Sequence, residues 1–160
     1  MPSPLAKNVI EAARDAKWMI CTVESCTGGM IFADLTDIVG ASAVLDRGFI
    51  TYSNQAKQEM VGVGVDTLEA HGAVSQQSAA AMAFGGITHS AANISLSVTG
   101  VAGPGGGSPD KPVGLVWMAI ATKDGVQISK RFDFSGDRQA VRSQAVEAGL
   151  TLILEALPKN

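Results

Sequence analysis

WMICTVESCTGG, Trp18 to Gly29, is the stretch that decides the fold. Its first half, Trp18 to Val23, is an apolar run of strand length, which predicts a buried strand. Its second half, Ser25 to Gly29, is a tight turn of small residues. From Gly28 the chain can enter a helix that reaches Leu35. Strand, turn and helix start in that order put Ser25 at the C-terminal edge of a sheet. The backbone N–H groups of Thr27, Gly28 and Gly29 are then expected to face the same space. The first N–H groups of a helix have no internal partner, so such a place suits a nucleophile or an anion.

Working outward, the same alternation continues. Leu5 to Lys17 carries Leu5, Val9, Ile10 and Ala13 on one stripe and predicts an amphipathic helix. Leu45 to Tyr52 predicts a second strand, and Asn54 is a good cap for a helix carrying Lys57. Ser75 predicts the start of an Ala-rich helix reaching about Thr88. Ile94 to Thr99 (ISLSVT) alternates apolar and small residues and reads as a strand. GVAGPGGGSPDKP, from Gly100 to Pro112, is too rich in Gly and Pro for a regular element. Val113 to Thr122 and Val126 to Phe134 read as strands joined by the hairpin signal Lys123-Asp124-Gly125. Asp137 to Leu157 reads as a closing helix with Val141, Ala145, Leu152 and Ile153 inward.

Strands separated by helices imply a parallel sheet covered on both faces, to which the hairpin adds an antiparallel strand. The expectation is an α/β protein: a three-layer α/β/α sandwich on a mixed, mostly parallel sheet, with residues 1–160 as a single domain. Apolar residues make up 46% and charged residues 17% of the 160, which excludes a disordered chain or a coiled coil. A net charge of -3 argues against general nucleic-acid binding. No apolar run is long enough to span a bilayer, and the N-terminus lacks a signal-peptide pattern. Cys21 and Cys26 are the two cysteines and form neither a CxxC pair nor a zinc pattern, which fits a reducing cytoplasm. No metal or cofactor is expected. The run Ala79 to Ile87 suits a subunit interface as well as a core, and a homo-oligomer is expected.

Three small-residue turns follow three strands: SCTGG, YSNQAK and TGVAGPGGG. In an open parallel sheet they share one edge, where ligands bind, so the three turns should converge. Ser25 needs a base there, and the histidines, His71 and His89, read as turn and surface residues. Lys57 lies about one turn into its helix and can reach back. A lysine is a base only when neutral, and desolvation favours that form. Two readings of each residue stand: Ser25 as nucleophile or as helix cap, Lys57 as base or as surface lysine. Glu24 reads as exposed, or as orienting Lys57 or a ligand hydroxyl. Cys26 is a rival nucleophile, although in an extended segment its side chain points away from that of Ser25. Tyr52 is placed to stack on a flat ring or hydrogen-bond the reacting group. Thr99, Gly100, Gly103 and Gly105 belong to a loop that can bring N–H groups close to a phosphate. Arg138 and Arg142, one helical turn apart, form a paired guanidinium face suited to the same anion.

The strings VESCTGG, DRGFITYSNQAK, HGAVS, VTGVAGPGGGSPDKPVGLVW and FSGDRQAVR, in this order, resemble the CinA C-terminal domain family, which comprises bacterial nicotinamide-nucleotide amidohydrolases. The likeness covers nearly the whole chain and departs at Val23, where the family has Ala. It implies a fold like that of anticodon-binding domains and a small nucleotide as substrate. The implied reaction is hydrolysis of the carboxamide of nicotinamide mononucleotide in NAD recycling. It further implies a Ser–Lys hydrolase without a metal, with Ser25 as the family serine and Lys57 as the family lysine. Longer family members carry an N-terminal domain linked to nucleotide pyrophosphatase activity, which does not carry over. The alternatives are a Ser–Lys amidase or esterase on another small substrate, and a non-catalytic nucleotide-binding module.

Overall fold

Cys21 to Glu24 can be buried on both faces only if strands flank them and helices cover them, and that is how the chain folds. The computed structural model describes residues 2–159. Strand β1 (Ile20–Glu24) is buried along its length and pairs in parallel with β2 (Leu45–Ile50) on one side and β3 (Ile94–Gly100) on the other. Beyond β3 lie β4 (Leu115–Thr122) and β5 (Gln127–Asp133), each antiparallel to its neighbour, giving a five-stranded sheet of order β2-β1-β3-β4-β5. Only β4 runs against the others.

Helices α1 (Pro4–Ala16), α2 (Met30–Thr36) and α6 (Arg138–Ala156) pack together on one face, and α3 (Asn54–Val61), α4 (Val65–His71) and α5 (Gln76–Thr88) on the other. The alternation in β3 explains how both layers fit. Ile94, Leu96 and Val98 enter the large core beneath α1 and α6, whereas Ser95, Ser97 and Thr99 turn to the α5 side. Each fully buried aliphatic side chain in that core contributes roughly 1.5–3 kcal/mol. On the other face the small residues let α5 approach closely. A Cβ at Gly85 would sit 1.9 Å from the carbonyl oxygen of Val61, so α3 and α5 touch backbone to backbone there. Ser97 Oγ donates to the Ala79 carbonyl at 2.6 Å and ties α5 to the sheet.

Several boundaries differ from expectation: β1 runs Ile20–Glu24 rather than Trp18 to Val23, β2 ends at Ile50 rather than Tyr52, and β4 starts at Leu115 rather than Val113. Helix α2 begins at Met30 rather than Gly28, because Gly28 and Gly29 take φ of 58° and 99°, which no right-handed helix accepts. Helix α3 is capped by Ser53, whose hydroxyl accepts from Ala56 N–H at 3.0 Å, so Asn54 is its first helical residue and not its cap. Helix α4 was not expected at all. Among the described residues no helix is long and apolar enough to cross a membrane.

Candidate active site

Lys57 is 1% exposed and among the largest fully buried side chains of the protein. It enters the interior because the Ser53 cap starts α3 immediately after β2, turning the first inward position of the helix toward the end of β1. Its Nζ lies 3.1 Å from Ser25 Oγ, 2.7 Å from the carbonyl oxygen of Thr51 and 3.3 Å from that of Tyr52. Among the described residues no carboxylate shares an ion pair with it. Burial therefore dominates and pushes its pKa down to about 8, against a smaller opposing effect of Cys26. In the neutral amine, the two N–H bonds match the two carbonyls, and the lone pair is left for the hydroxyl proton of Ser25.

Ser25 follows β1 directly, its N–H bonded to the Val98 carbonyl at 2.9 Å. The hydroxyl and amine open onto a cavity of about 290 Å³. Residues from all three turns line it: Ser25; Tyr52 with Lys57; and Thr99, Gly100, Gly103 and Gly105. Arg138 lines it from the start of α6. Tyr52 is 62% exposed at the rim, and its phenol oxygen accepts from Arg138 Nη2 at 3.2 Å. Arg138 Nη1 also donates to the Gly103 carbonyl at 2.8 Å, clasping the glycine loop. Arg138 further borders an adjacent groove of about 830 Å³ that also includes Met30, Val113 and Arg142.

Several expected site residues lie elsewhere. Glu24 is neither exposed nor directed at Lys57. Its carboxylate is buried and accepts from Thr22 Oγ1, Thr27 Oγ1, Ile31 N–H and Phe32 N–H at 2.7–3.0 Å. It thus fills the N-terminus of α2 from within the chain and leaves no anion site there. Thr27, Gly28, Gly29 and Arg142 are absent from the cavity wall, as is Asn54, which is exposed on the surface. The N–H of Gly28 is spent on the Ser25 carbonyl at 3.1 Å. Arg142 reaches the back of the turn, donating from Nε to the Cys26 carbonyl at 3.0 Å.

Ser25 and Cys26 both contribute to the cavity wall, because the chain turns after Glu24 and the alternation of an extended strand no longer applies. Burial pushes the Cys26 thiol up to about 11, so it stays protonated at neutral pH and is a poor nucleophile. Ala73 and Val74, which close one side of the cavity, were not anticipated. They lie between α4 and α5 in HGAVS, where Thr99 Oγ1 donates to the Ala73 carbonyl at 2.8 Å.

The chain is similar to known proteins over nearly its whole length. The family model of the CinA C-terminal domain matches residues 2–157. The chain belongs to the CinA C-terminal domain family. Among CinA relatives, the nicotinamide-nucleotide amidohydrolase PncC of Enterobacter agglomerans is 51% identical over 94% of this chain and 93% of its own length. The protein of the same name from Escherichia coli K12 is 46% identical over 98% of this chain and 94% of its own. A competence/damage-inducible protein of Agrobacterium tumefaciens, solved by crystallography, superposes with a TM-score of 0.93. It is 45% identical, covering 94% of this chain and 92% of that one. The mixed sheet with helices on both sides is therefore the CinA fold.

Proposed function

We propose that this chain hydrolyses the carboxamide of nicotinamide mononucleotide to nicotinic acid mononucleotide and ammonia, with Ser25 as nucleophile and Lys57 as general base. The observation that carries this is the 3.1 Å approach of a buried, carbonyl-held amine to a serine hydroxyl at the end of β1. The names of the full-length relatives in Enterobacter agglomerans and Escherichia coli supply the substrate.

Neutral Lys57 takes the Ser25 proton as Oγ bonds to the carboxamide carbon. The C–N bond then breaks, the ammonium of Lys57 passes its proton to the departing nitrogen, and ammonia leaves. Water, deprotonated by the same amine, attacks the acyl-enzyme, and Oγ departs with the proton returned to it. The positive charge of the substrate's pyridinium ring makes the carboxamide carbon more electrophilic and favours the neutral form of the neighbouring lysine. The substrate's phosphate is assigned to Arg138, which borders both the cavity and the larger groove and, among the described residues, has neutral partners to give up.

An ammonia-release assay tests this on wild type, Ser25→Ala and Lys57→Ala. Activity confined to the wild type is expected, with nicotinamide mononucleotide turned over far faster than nicotinamide or its riboside. Equal turnover of all three would reject a nucleotide enzyme in favour of a general amidase. Full activity in Ser25→Ala would reject the mechanism.

A further inference from the structure

We infer that Lys111 is a positioning residue for substrate binding: its ammonium latches the glycine loop to the segment between α4 and α5, and so holds two walls of the cavity together. This rests on the proposal above that the cavity receives the substrate. The loop supplies Gly103, Gly105 and Gly106 to the wall, and the segment after α4 supplies Ala73 and Val74. Lys111 Nζ donates to the His71 carbonyl at 2.5 Å. Among the described residues this is the one hydrogen bond that joins the stretch from Gly100 to Pro112 with residues 71–75.

Three features favour this contact. Ser108 N–H donates to the Lys111 carbonyl at 2.9 Å and Lys111 N–H to that of Ser108 at 3.2 Å, which closes SPDK into a tight turn and fixes the start of the lysine side chain. His71 is the last residue of α4, where carbonyls lack a partner within the helix and lysine side chains can supply one. Gly72 leaves the room, because a Cβ there would stand 2.7 Å from Nζ. The other side of the same segment is already fixed. The Gly72 carbonyl accepts from the hydroxyls of Ser75 and Ser78 at 3.0 and 2.6 Å, and the Ala73 carbonyl accepts from Thr99 Oγ1 at 2.8 Å. The segment is therefore a post, and the loop is the part that needs a tie. Its near end has one, in the Arg138 contact to the Gly103 carbonyl at 2.8 Å. Residues 104–110 between the two ties are exposed, and a Cβ at Gly105 would meet nothing within 4 Å. Without Lys111 one tie remains, and Gly105 and Gly106 lose their place in the wall. Ser25 and Lys57 belong to the end of β1 and to α3, so the reacting pair is untouched. The cost falls on binding: when fewer molecules have the wall formed, apparent affinity drops by that fraction.

The test separates the latch from a phosphate contact. Steady-state kinetics on nicotinamide mononucleotide are measured for Lys111→Met and Lys111→Arg. Dissociation constants of the mononucleotide and of nicotinamide riboside are measured in Ser25→Ala with and without Lys111→Met. Loss of one charged hydrogen bond predicts KM raised about tenfold in Lys111→Met, with kcat within about threefold of wild type. Lys111→Arg keeps a donor for the His71 carbonyl and should restore most of the loss. Both ligands should weaken by the same factor, because the wall serves them alike. A loss confined to the mononucleotide would make Lys111 a phosphate ligand and overturn the inference, as would an unchanged KM. Hydrogen exchange without ligand gives a second reading: the amides of Gly105 to Gly107 should exchange about tenfold faster in Lys111→Met, and equal rates would also overturn it. If melting curves show Lys111→Met to be unfolded, Lys111→Gln decides by the same criteria. Failure of the underlying reading is visible separately, as ammonia release by Ser25→Ala at the wild-type rate, which leaves the exchange result standing.

Discussion

The Thr51 carbonyl oxygen lies 2.7 Å from Lys57 Nζ, closer than any other partner of that amine. A carbonyl so placed accepts an N–H bond whether the amine is neutral or charged. It fixes the nitrogen without restoring the charge that burial removes, which a carboxylate in the same place would do. The amine therefore reaches its neutral form from about pH 8 upward, well below the ordinary lysine value.

The rate should follow that state. With the Lys57 pKa lowered to about 8, the neutral fraction rises tenfold per pH unit below that value and levels above it. The expected kcat/KM profile climbs with unit slope from pH 6 and flattens near pH 8. A profile already flat from pH 6 would mean that no group of this pKa limits the reaction.

Stability should move with the same proton. The folded pKa lies below the unfolded value of 10.5, so between about 8 and 10.5 the unfolded chain binds more protons and stability rises with pH. Below about 8 both states are protonated, and the folded protein carries the full cost of a buried ammonium. Lys57→Met, similar in shape and uncharged, should be more stable than wild type at pH 7 by up to about 3 kcal/mol. The difference should shrink toward pH 10. Urea titrations at the two pH values measure it; a methionine variant less stable at pH 7 would contradict it.

Glu24 should matter through the turn. Glu24→Gln replaces one acceptor oxygen by an amide that faces a hydroxyl and a helix N–H, leaving two donors opposed by a third. A loss of about 2–4 kcal/mol is expected from buried donors left unpaired. Chemical denaturation checks it, and a change below about 0.5 kcal/mol would mean that the turn is held by other contacts.

The strands and the long helices were legible because their apolar positions follow a single period. The buried strand after Trp18, the alternation in ISLSVT and the stripe from Val9 to Ala13 each declare which face is inward. The convergence of the three turns followed from topology alone. What escaped was local or distant in sequence. Helix α4 has seven residues, a glycine at its cap and one buried side chain, Leu68, too little to set a period. The start of α2 was hidden because the φ of Gly28 and Gly29 is not written in their identity. Ser53 and Asn54 are both good caps, and only the backbone distinguishes them. The contacts of Glu24 and Arg142 were hidden because spacing does not announce them: Glu24 accepts from two hydroxyls and two helix N–H groups, and Arg142 donates to main-chain carbonyls, which every residue carries.

The reversed strand β4 has a practical consequence. Since Ile94, at the start of β3, lies opposite Thr122, the hairpin tip at Lys123 to Gly125 is carried to the end of the sheet remote from Ser25. A fluorophore or an affinity tag grafted at Asp124 would stand far from the reacting atoms. The molecule thus offers a handle for immobilisation that leaves its mouth unobstructed.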